Sequence, residues 1–452
     1  MTKRLSATAA PLPLEEYAAR FDDLFARRSQ REGFRRYLEG LLLPAERNKT
    51  ATGLANTEPT IGAQHPRAQT LQWFLSEATW DPATVNTRRL ALLRADPATA
   101  PDGRGVLVID EHGDRKWGRK TAHVGRQYLA NLGKTDSGVV SVTSLWADEA
   151  VYWPVEYAPY TPQHHFAKGK ADPAFRTKLA IAGERVTAAV ADDLPFRAVV
   201  ADSFYGEDAG FRRTLHELQV GYVLALKPSH TWWHQIGTVG ALWEAAELAG
   251  WRGASDPGAW VAVERRFRDG HAEAWWALEV EAGPYGSARG LRAVVATTDP
   301  ATLPDHGTWY LASNLPATDA DLAEVVRLYG LRMWVEQAYK QTKHALGWAQ
   351  YQVRADAAIR RHWQLVCCAF SFCWWHHPPD RAADVPVPAD AETQPAAETA
   401  AGRGENTPTP PAGALAGGPA RRPRLAGAVG SAPALLARLV AAAPAAAVAR
   451  LT

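Results

Sequence analysis

The 452-residue sequence predicts an α/β protein: a mixed sheet with helices on its faces, a β-rich block set into it, helices before it and an Ala/Pro/Gly-rich tail behind it. Three observations carry that prediction. Two short apolar runs, Gly105-Val-Leu-Val-Ile-Asp110 and Arg197-Ala-Val-Val-Ala-Asp202, read as buried strands, each with an aspartate at its carboxyl end. Helical periodicity alternates with strand-like runs between residues 173 and 226, as crossover-connected strands require. From 228 to 317 the pattern turns to strands and turns, and after 318 it returns to helix.

Residues 14–43 read as helices, because Tyr17, Phe21, Leu24 and Phe25, then Phe34, Tyr37, Leu41 and Leu42, recur at helical spacing. Among them Arg27, Arg28, Arg31, Arg35 and Arg36 form a basic cluster, either a solvated face or the phosphate-contacting face of a DNA-binding region. A second helical group spans residues 66–93, and Pro97 to Gly103 reads as a linker. After Asp110, residues 139–143 and 150–155 read as strands, with Asp148-Glu149 in the turn between them. A helix over 173–191, the strand ending on Asp202, a helix over 208–218 and a strand over 222–226 complete the α/β unit.

In the β-rich block, strands begin at Val261, Ala274 and Leu291, separated by Asp269-Gly270 and Gly283-Pro284 turns. A helix is expected from about Thr318, with Asp319 and Asp321 at its positive end, running on through Tyr329 to Lys343. Arg354, Arg360 and Arg361 then lead into an apolar helix over 363–375. Beyond 378 the chain loses its aromatics and reads as disordered, apart from a short helix between Pro433 and Pro444. The expected divisions are a helical DNA-binding region (1–100), a first core part (101–227), the β-rich insertion (228–317), a second core part (318–377) and the tail (378–452).

A hydrophobic fraction of 46% and a charged fraction of 22% are those of a soluble globular protein. The formal net charge is only +2, so a nucleic-acid surface has to come from local clustering of Lys and Arg. No signal-length apolar run opens the chain, and residues 363–375 fall short of the roughly 20 needed to span a bilayer. A cytoplasmic protein without a membrane partner is expected. Cys367, Cys368 and Cys373 lack zinc-site spacing and read as small buried side chains.

The stretch from Tyr329 to Lys343 draws these parts together. At about 100° per residue, Tyr329, Arg332, Glu336 and Lys343 fall within an arc of about 60° on one helix. Alone, that is a surface face with an i,i+4 Arg-Glu pair. With two strand-end aspartates upstream, Glu336 becomes a third carboxylate. Carboxylates without Cys or His favour Mg2+ or Mn2+, and three of them can hold two ions about 4 Å apart for in-line phosphoryl transfer.

These residues carry a resemblance. Asp110-Glu-His-Gly113-Asp-Arg-Lys116-Trp-Gly118, continuing to Val124-Gly-Arg-Gln-Tyr128, resembles the first-aspartate region of DDE transposases from bacterial insertion sequences. Ala201-Asp202-Ser-Phe-Tyr-Gly206 is similar to their second-aspartate motif. Tyr329-x2-Arg332-x3-Glu336-x6-Lys343 matches the Tyr-Arg-Glu-Lys signature of the insertion-sequence-four-like superfamily at every spacing. The resemblance implies an RNase H-like catalytic core interrupted by the β-rich insertion. It implies Asp110, Asp202 and Glu336 as ligands of two Mg2+ or Mn2+ ions, with water and then a DNA 3′-hydroxyl as nucleophiles.

The implied partner is DNA, both transposon ends and target, bound by a homodimer in a synaptic complex in the nucleoid-associated cytoplasm. Carried over, Arg332 and Lys343 contact phosphates near the transposon end with Tyr329 beside them. Lys116, Arg119, Lys120 and Arg126 form a further DNA-contacting stretch. Trp232, Trp233, Trp275 and Trp276 are candidates for stacking a flipped base. Relatives continue past the signature into an ordered, aromatic-containing region, whereas here the Ala/Pro/Gly tail takes its place. Two alternatives stand beside the transposase: a nuclease of the same fold without strand transfer, and a transposase-derived DNA-binding protein that no longer cuts.

Overall fold

The computed structural model describes residues 9–44, 48–57, 62–233, 239–266, 271–280, 291–304 and 307–378. The expected Asp269-Gly270 and Gly283-Pro284 turns and the tail from 379 onward lie outside the described residues.

Among the described residues the first α-helices are α1 (Leu14–Ala19), α2 (Arg28–Leu42), α3 (Ala51–Leu54), α4 (Pro66–Ser76) and α5 (Pro82–Ala95). α4 and α5 each begin with proline at the first helical position, where a missing N–H costs nothing. The Asp81 carboxylate caps α5 by accepting from the Ala83 and Thr84 amides. In α2 the arginines divide. Arg35 is buried in ion pairs with Glu15 at 2.7 Å and Asp22 at 2.6 Å, and Arg31 donates to the Phe25 carbonyl at 3.0 Å. Arg27, Arg28 and Arg36 remain exposed.

Then come β1 (Val106–Arg115), β2 (Gly125–Leu129), β3 (Lys134–Ala147), β4 (Tyr152–Tyr160), α6 (Lys178–Ala191), β5 (Ala198–Ala201), α7 (Ser203–Gly206), α8 (Ala209–Glu217) and β6 (Tyr222–Ala225). The insertion holds β7 (Thr231–Trp233), β8 (Val239–Ala241), α9 (Leu242–Glu247), β9 (Val261–Arg266), β10 (Ala272–Val280), β11 (Arg292–Thr297) and β12 (Trp309–Ser313). The chain returns through α10 (Leu322–Gly330), α11 (Met333–Lys340) and α12 (Asp356–His376).

β1 lies between antiparallel β3 and parallel β5, β4 pairs with β3 on its far side, and β6 runs parallel to β5. That order and those directions are those of an RNase H-like sheet. The insertion does not stand apart from it. β12 pairs antiparallel with β6, and β11, β10 and β9 follow, so core and insertion share one ten-stranded sheet.

One hydrophobic cluster runs from Leu14 through the strands to Cys373. The N-terminal helices therefore share their core with the sheet and with α12. Buried Arg89 ties the three together, donating to the Val155 carbonyl at 2.8 Å, the Ser371 hydroxyl at 3.1 Å and Asn86 on its own helix. The three cysteines are buried in α12, as their setting in the sequence predicts. No helix among the described residues is long and apolar enough to cross a membrane.

Two expectations change here. β1 does not end at Asp110 but continues to Arg115, because residues 111–115 keep pairing with β3 after β5 has stopped. The single helix expected from about Thr318 to Lys343 is three pieces. α10 starts at Leu322 with the Asp321 carboxylate as its cap, accepting from the Glu324 amide at 2.8 Å. The helix breaks at Leu331 and Arg332, and a π-helical segment, Gln341–Ala345, follows α11.

Candidate active site

The parallel ladder of β1 and β5 runs from Val106↔Ala198 to Ile109↔Ala201. The next residue of each chain, Asp110 and Asp202, therefore leaves it side by side, on strands spaced about 4.8 Å apart. Asp202 caps α7, accepting from the Phe204 amide at 3.0 Å. One Asp110 oxygen accepts from the Glu111 amide at 2.7 Å, and the other takes Arg332 Nη2 at 2.9 Å.

Burial pushes the Asp110 carboxyl up to about 7; the Arg332 guanidinium opposes that rise and the Asp202 charge adds to it. Burial acts on Arg332 in the other sense and is the largest single influence, but Asp110, Tyr329, Asp202 and Glu336 together outweigh it and keep the guanidinium firmly charged. Its buried Nε has no hydrogen-bond partner among the described residues. Glu336 stands one turn beyond, its Oε1 3.9 Å from Arg332 Nη1 and its side chain 64% exposed.

Because alternate residues of a strand share a face, His112 and Asp114 follow Asp110 along one side of β1. The His112 ring lies 4.4 Å from that of Tyr339, and burial depresses the imidazole to about 4 against the pull of Asp114. Asp114 Oδ1 is 2.8 Å from Lys343 Nζ and 3.3 Å from His112 Nε2. On the opposite face Glu111 takes Lys178 Nζ, at the start of α6, at 2.7 Å.

The helix break gives Arg332 and Lys343 these positions. The Trp334 amide donates to the Leu331 carbonyl and the Val335 amide to that of Arg332, both at 3.1 Å, a tighter pattern than α. Arg332 thus sits at the head of a new helix that aims at Asp110. The π segment then carries Lys343 across to the far part of β1. The four signature residues are not one outward face: Tyr329 is buried, its ring 5.0 Å from that of Trp309, and burial raises its hydroxyl to about 12.

Comparison with known proteins shows the family. The DDE superfamily endonuclease family matches residues 20–274, and the transposase DDE domain family matches residues 180–372. The chain is 33% identical over 341 residues, 75% of its length and 81% of the relative's, to the probable transposase for insertion sequence element IS701 of Microchaete diplosiphon. The chain belongs to the DDE transposase family.

The acidic residues of this DDE transposase chain fit the divalent cation that the family implies by donor type. Asp110, which is buried, and Asp202, which is half-buried, put two carboxylates side by side, with the Arg332 guanidinium on the first, which is oxygen-donor chemistry for a hard ion. Glu336, the third, lies at the rim on the far side of Arg332. In this conformation no three His, Cys, Asp or Glu side chains among the described residues stand close enough together to share one ion.

The basic stretch after β1 separates into two kinds of residue. Arg119, Lys120 and Arg126 are exposed. Lys116, expected beside them on DNA, turns inward: Nζ donates to the carbonyls of Ala349 at 2.6 Å and Tyr351 at 3.0 Å, and lies 3.4 Å from the centre of the Tyr351 ring. Burial lowers this ammonium to about 8. Between them Trp117 is 82% exposed, with the Arg115 guanidinium 3.8 Å over its ring.

Of the tryptophans considered for base stacking, Trp232 and Trp275 are buried, and Trp276 packs partly buried against Trp251. The side chain of Trp233 lies outside what the structure describes. Lys178 went unpredicted because nothing near it in sequence marks it. His112 and Asp114 could have been placed on the Asp110 face from the two-residue period of the strand alone.

Proposed function

We propose that the protein is the transposase of a bacterial insertion sequence, cutting DNA at the element's ends and joining those ends to target DNA. The observation that carries this reading is the end of the β1–β5 ladder, which sets Asp110 beside Asp202, with Arg332, from the head of α11, bonded to Asp110. In this reading Asp110, Asp202 and Glu336 hold Mg2+ or Mn2+. Such ions, when bound in a pair, activate the attacking oxygen and stabilise the leaving one.

The chain's own residues do the rest. Asp110 and Asp202, fixed by backbone amides, give the site two carboxylates whose rotamers are already set. Glu336, exposed on α11, closes the set once Arg332 leaves Asp110 for a DNA phosphate. Arginine suits that exchange, since its planar fork binds carboxylate and phosphate alike. Lys343 adds a second phosphate contact further along β1, and exposed Arg119, Lys120 and Arg126 extend the basic track. A homodimer, one chain at each end, is the assembly that joining two ends requires.

The test is cleavage of a supercoiled plasmid carrying the DNA that flanks the gene, with Mg2+ or Mn2+ present. Asp110→Asn, Asp202→Asn and Glu336→Gln should each abolish nicking while gel-shift binding of the same DNA persists. Nicking retained in all three variants defeats the assignment. Cut but never joined product would select a nuclease, and salt-sensitive binding without any cleavage would select a DNA-binding descendant.

A further inference from the structure

We infer that Arg265, in the β-rich insertion, is a positioning residue for Arg332 and Glu336, so that the insertion sets the geometry of the acidic site; this rests on the transposase reading above. Arg265 stands on β9, far from the site in sequence. Its guanidinium lies over two rings of the insertion sheet, 5.5 Å from the centre of Trp275 and 4.9 Å from that of Trp309. From there Nη2 reaches the Gly330 carbonyl at 3.3 Å and Met333 Sδ at 3.7 Å. These two residues flank the helix break, and Arg332 lies between them.

The break explains why this contact matters. In a continuous helix the Gly330 carbonyl would accept from the amide four residues on, that of Trp334. Here the Trp334 amide donates to Leu331 instead, which releases the Gly330 carbonyl from the helix. Arg265 takes it up, with a charged donor in a partly buried place. The glycine belongs to the same device. A Cβ at position 330 would stand 2.9 Å from Arg265 Nε, so the absence of a side chain is what lets the guanidinium approach. Trp309, which lies under that guanidinium, also packs edge-on against Tyr329 at 5.0 Å.

The insertion therefore grips the chain two residues before Arg332 and one residue after it. Without that grip the freed carbonyl favours a continuous helix. A continuous helix would rotate Arg332 away from Asp110 and Glu336 away from the rim. In this scheme Arg265 acts through the chain and fixes the break on which both signature residues depend.

The experiment compares the full-length wild type with Arg265→Ala, Arg265→Lys, Gly330→Ala and, as a control, Arg266→Ala. Arg266 lies next in sequence but is exposed and paired with Glu264 at 2.6 Å. Single-turnover nicking of the flanking-DNA plasmid with Mn2+ is read beside gel-shift affinity for a labelled duplex from the same DNA in EDTA. Arg265→Ala and Gly330→Ala should bind the duplex within about threefold of wild type yet nick about 10- to 100-fold more slowly, the cost of a displaced reactive group. Arg265→Lys, which keeps a cation that can reach the carbonyl, should recover most of the rate, and Arg266→Ala should match wild type.

If Arg265→Ala does not fold, Gly330→Ala carries the test, because alanine is at home in a helix and only pushes the guanidinium aside. Unchanged nicking in the folded variants, or a loss that follows DNA affinity and melting temperature in proportion, overturns the inference and leaves the transposase reading intact. A wild type that never nicks removes that reading and this inference with it.

Discussion

Single side chains decide much of this molecule's behaviour, and His362 in α12 gives the clearest case. Tyr37 bonds its Nδ1 at 2.8 Å, and Nε2 faces the carbonyls of Gly347 and Trp348 at 3.2 Å each, so the neutral ring carries its proton on Nε2. Burial holds the imidazole down at about 4. The unfolded chain takes up this proton through about 6.5 and the folded chain only near 4, so within that window the unfolded state binds more protons. Stability from His362 is thus complete above about 6.5 and is lost as pH falls from there towards 4, to an extent of roughly 3 kcal/mol. Urea denaturation at a series of pH values should show the wild type losing stability more steeply than His362→Gln; parallel curves would contradict it.

At the same scale Lys343 is expected to act on DNA. Lys343→Ala should weaken binding and lower the slope of log affinity against log salt by about one. An unchanged slope would leave Lys343 a structural partner of Asp114 and the Gly113 carbonyl.

Among the elements, helix ends carry more information than helix bodies. α2 ends where Lys49 folds back, its ammonium taking the carbonyls of Gly40 at 3.0 Å, Leu41 at 2.8 Å and also Leu43, the orphan acceptors of a helix C-terminus. Lys49→Met should cost about 1–3 kcal/mol in chemical denaturation, since it strands buried acceptors while keeping the volume. A loss below a few tenths of a kcal/mol would show that water replaces the ammonium.

Elements also mark the limit of what the sequence discloses. Apolar runs and their terminal aspartates locate β1 and β5 because burial on both faces writes a continuous signal. The adjacency of Asp110 and Asp202 is absent from that signal, since it arises from strand order and register. The break at Leu331 was hidden for a different reason. It depends on a carbonyl captured by Arg265 from 65 residues upstream, and no local propensity registers such a partner. Lys116 deceived in the same way: a lysine among basic neighbours reads as surface until the Ala349 and Tyr351 carbonyls fold over it. β12 was missed because Trp309 to Ser313 is short and follows turn residues.

For the molecule as a whole, the shared core is the fact that governs. α12 packs against α2, α4 and α5, and Arg361 near its start donates to the Leu75 carbonyl at 2.8 Å and the Trp80 carbonyl at 3.2 Å. Removing residues 1–100 would bare the apolar flank of α12. A fragment of residues 101–378 is therefore expected to aggregate, or to bind a hydrophobic dye without a cooperative melt; a monomeric fragment with a sharp transition would show the N-terminal helices to be separable.

The sheet that joins insertion to core has a consequence of its own. β12 meets β6 through three residue pairs, Ser313↔Val223 to Leu311↔Ala225. Asn314 pins them, accepting from the Tyr222 amide at 2.7 Å and donating to the Val220 carbonyl at 3.0 Å. Paired strands can shift only by whole residues, and a shift of one turns every side chain to the opposite face. The insertion is thus seated like a key with one working position. Chimaeras that exchange residues 228–317 between relatives should divide into two sharp classes, fully seated or wholly misaligned, with no graded series between them.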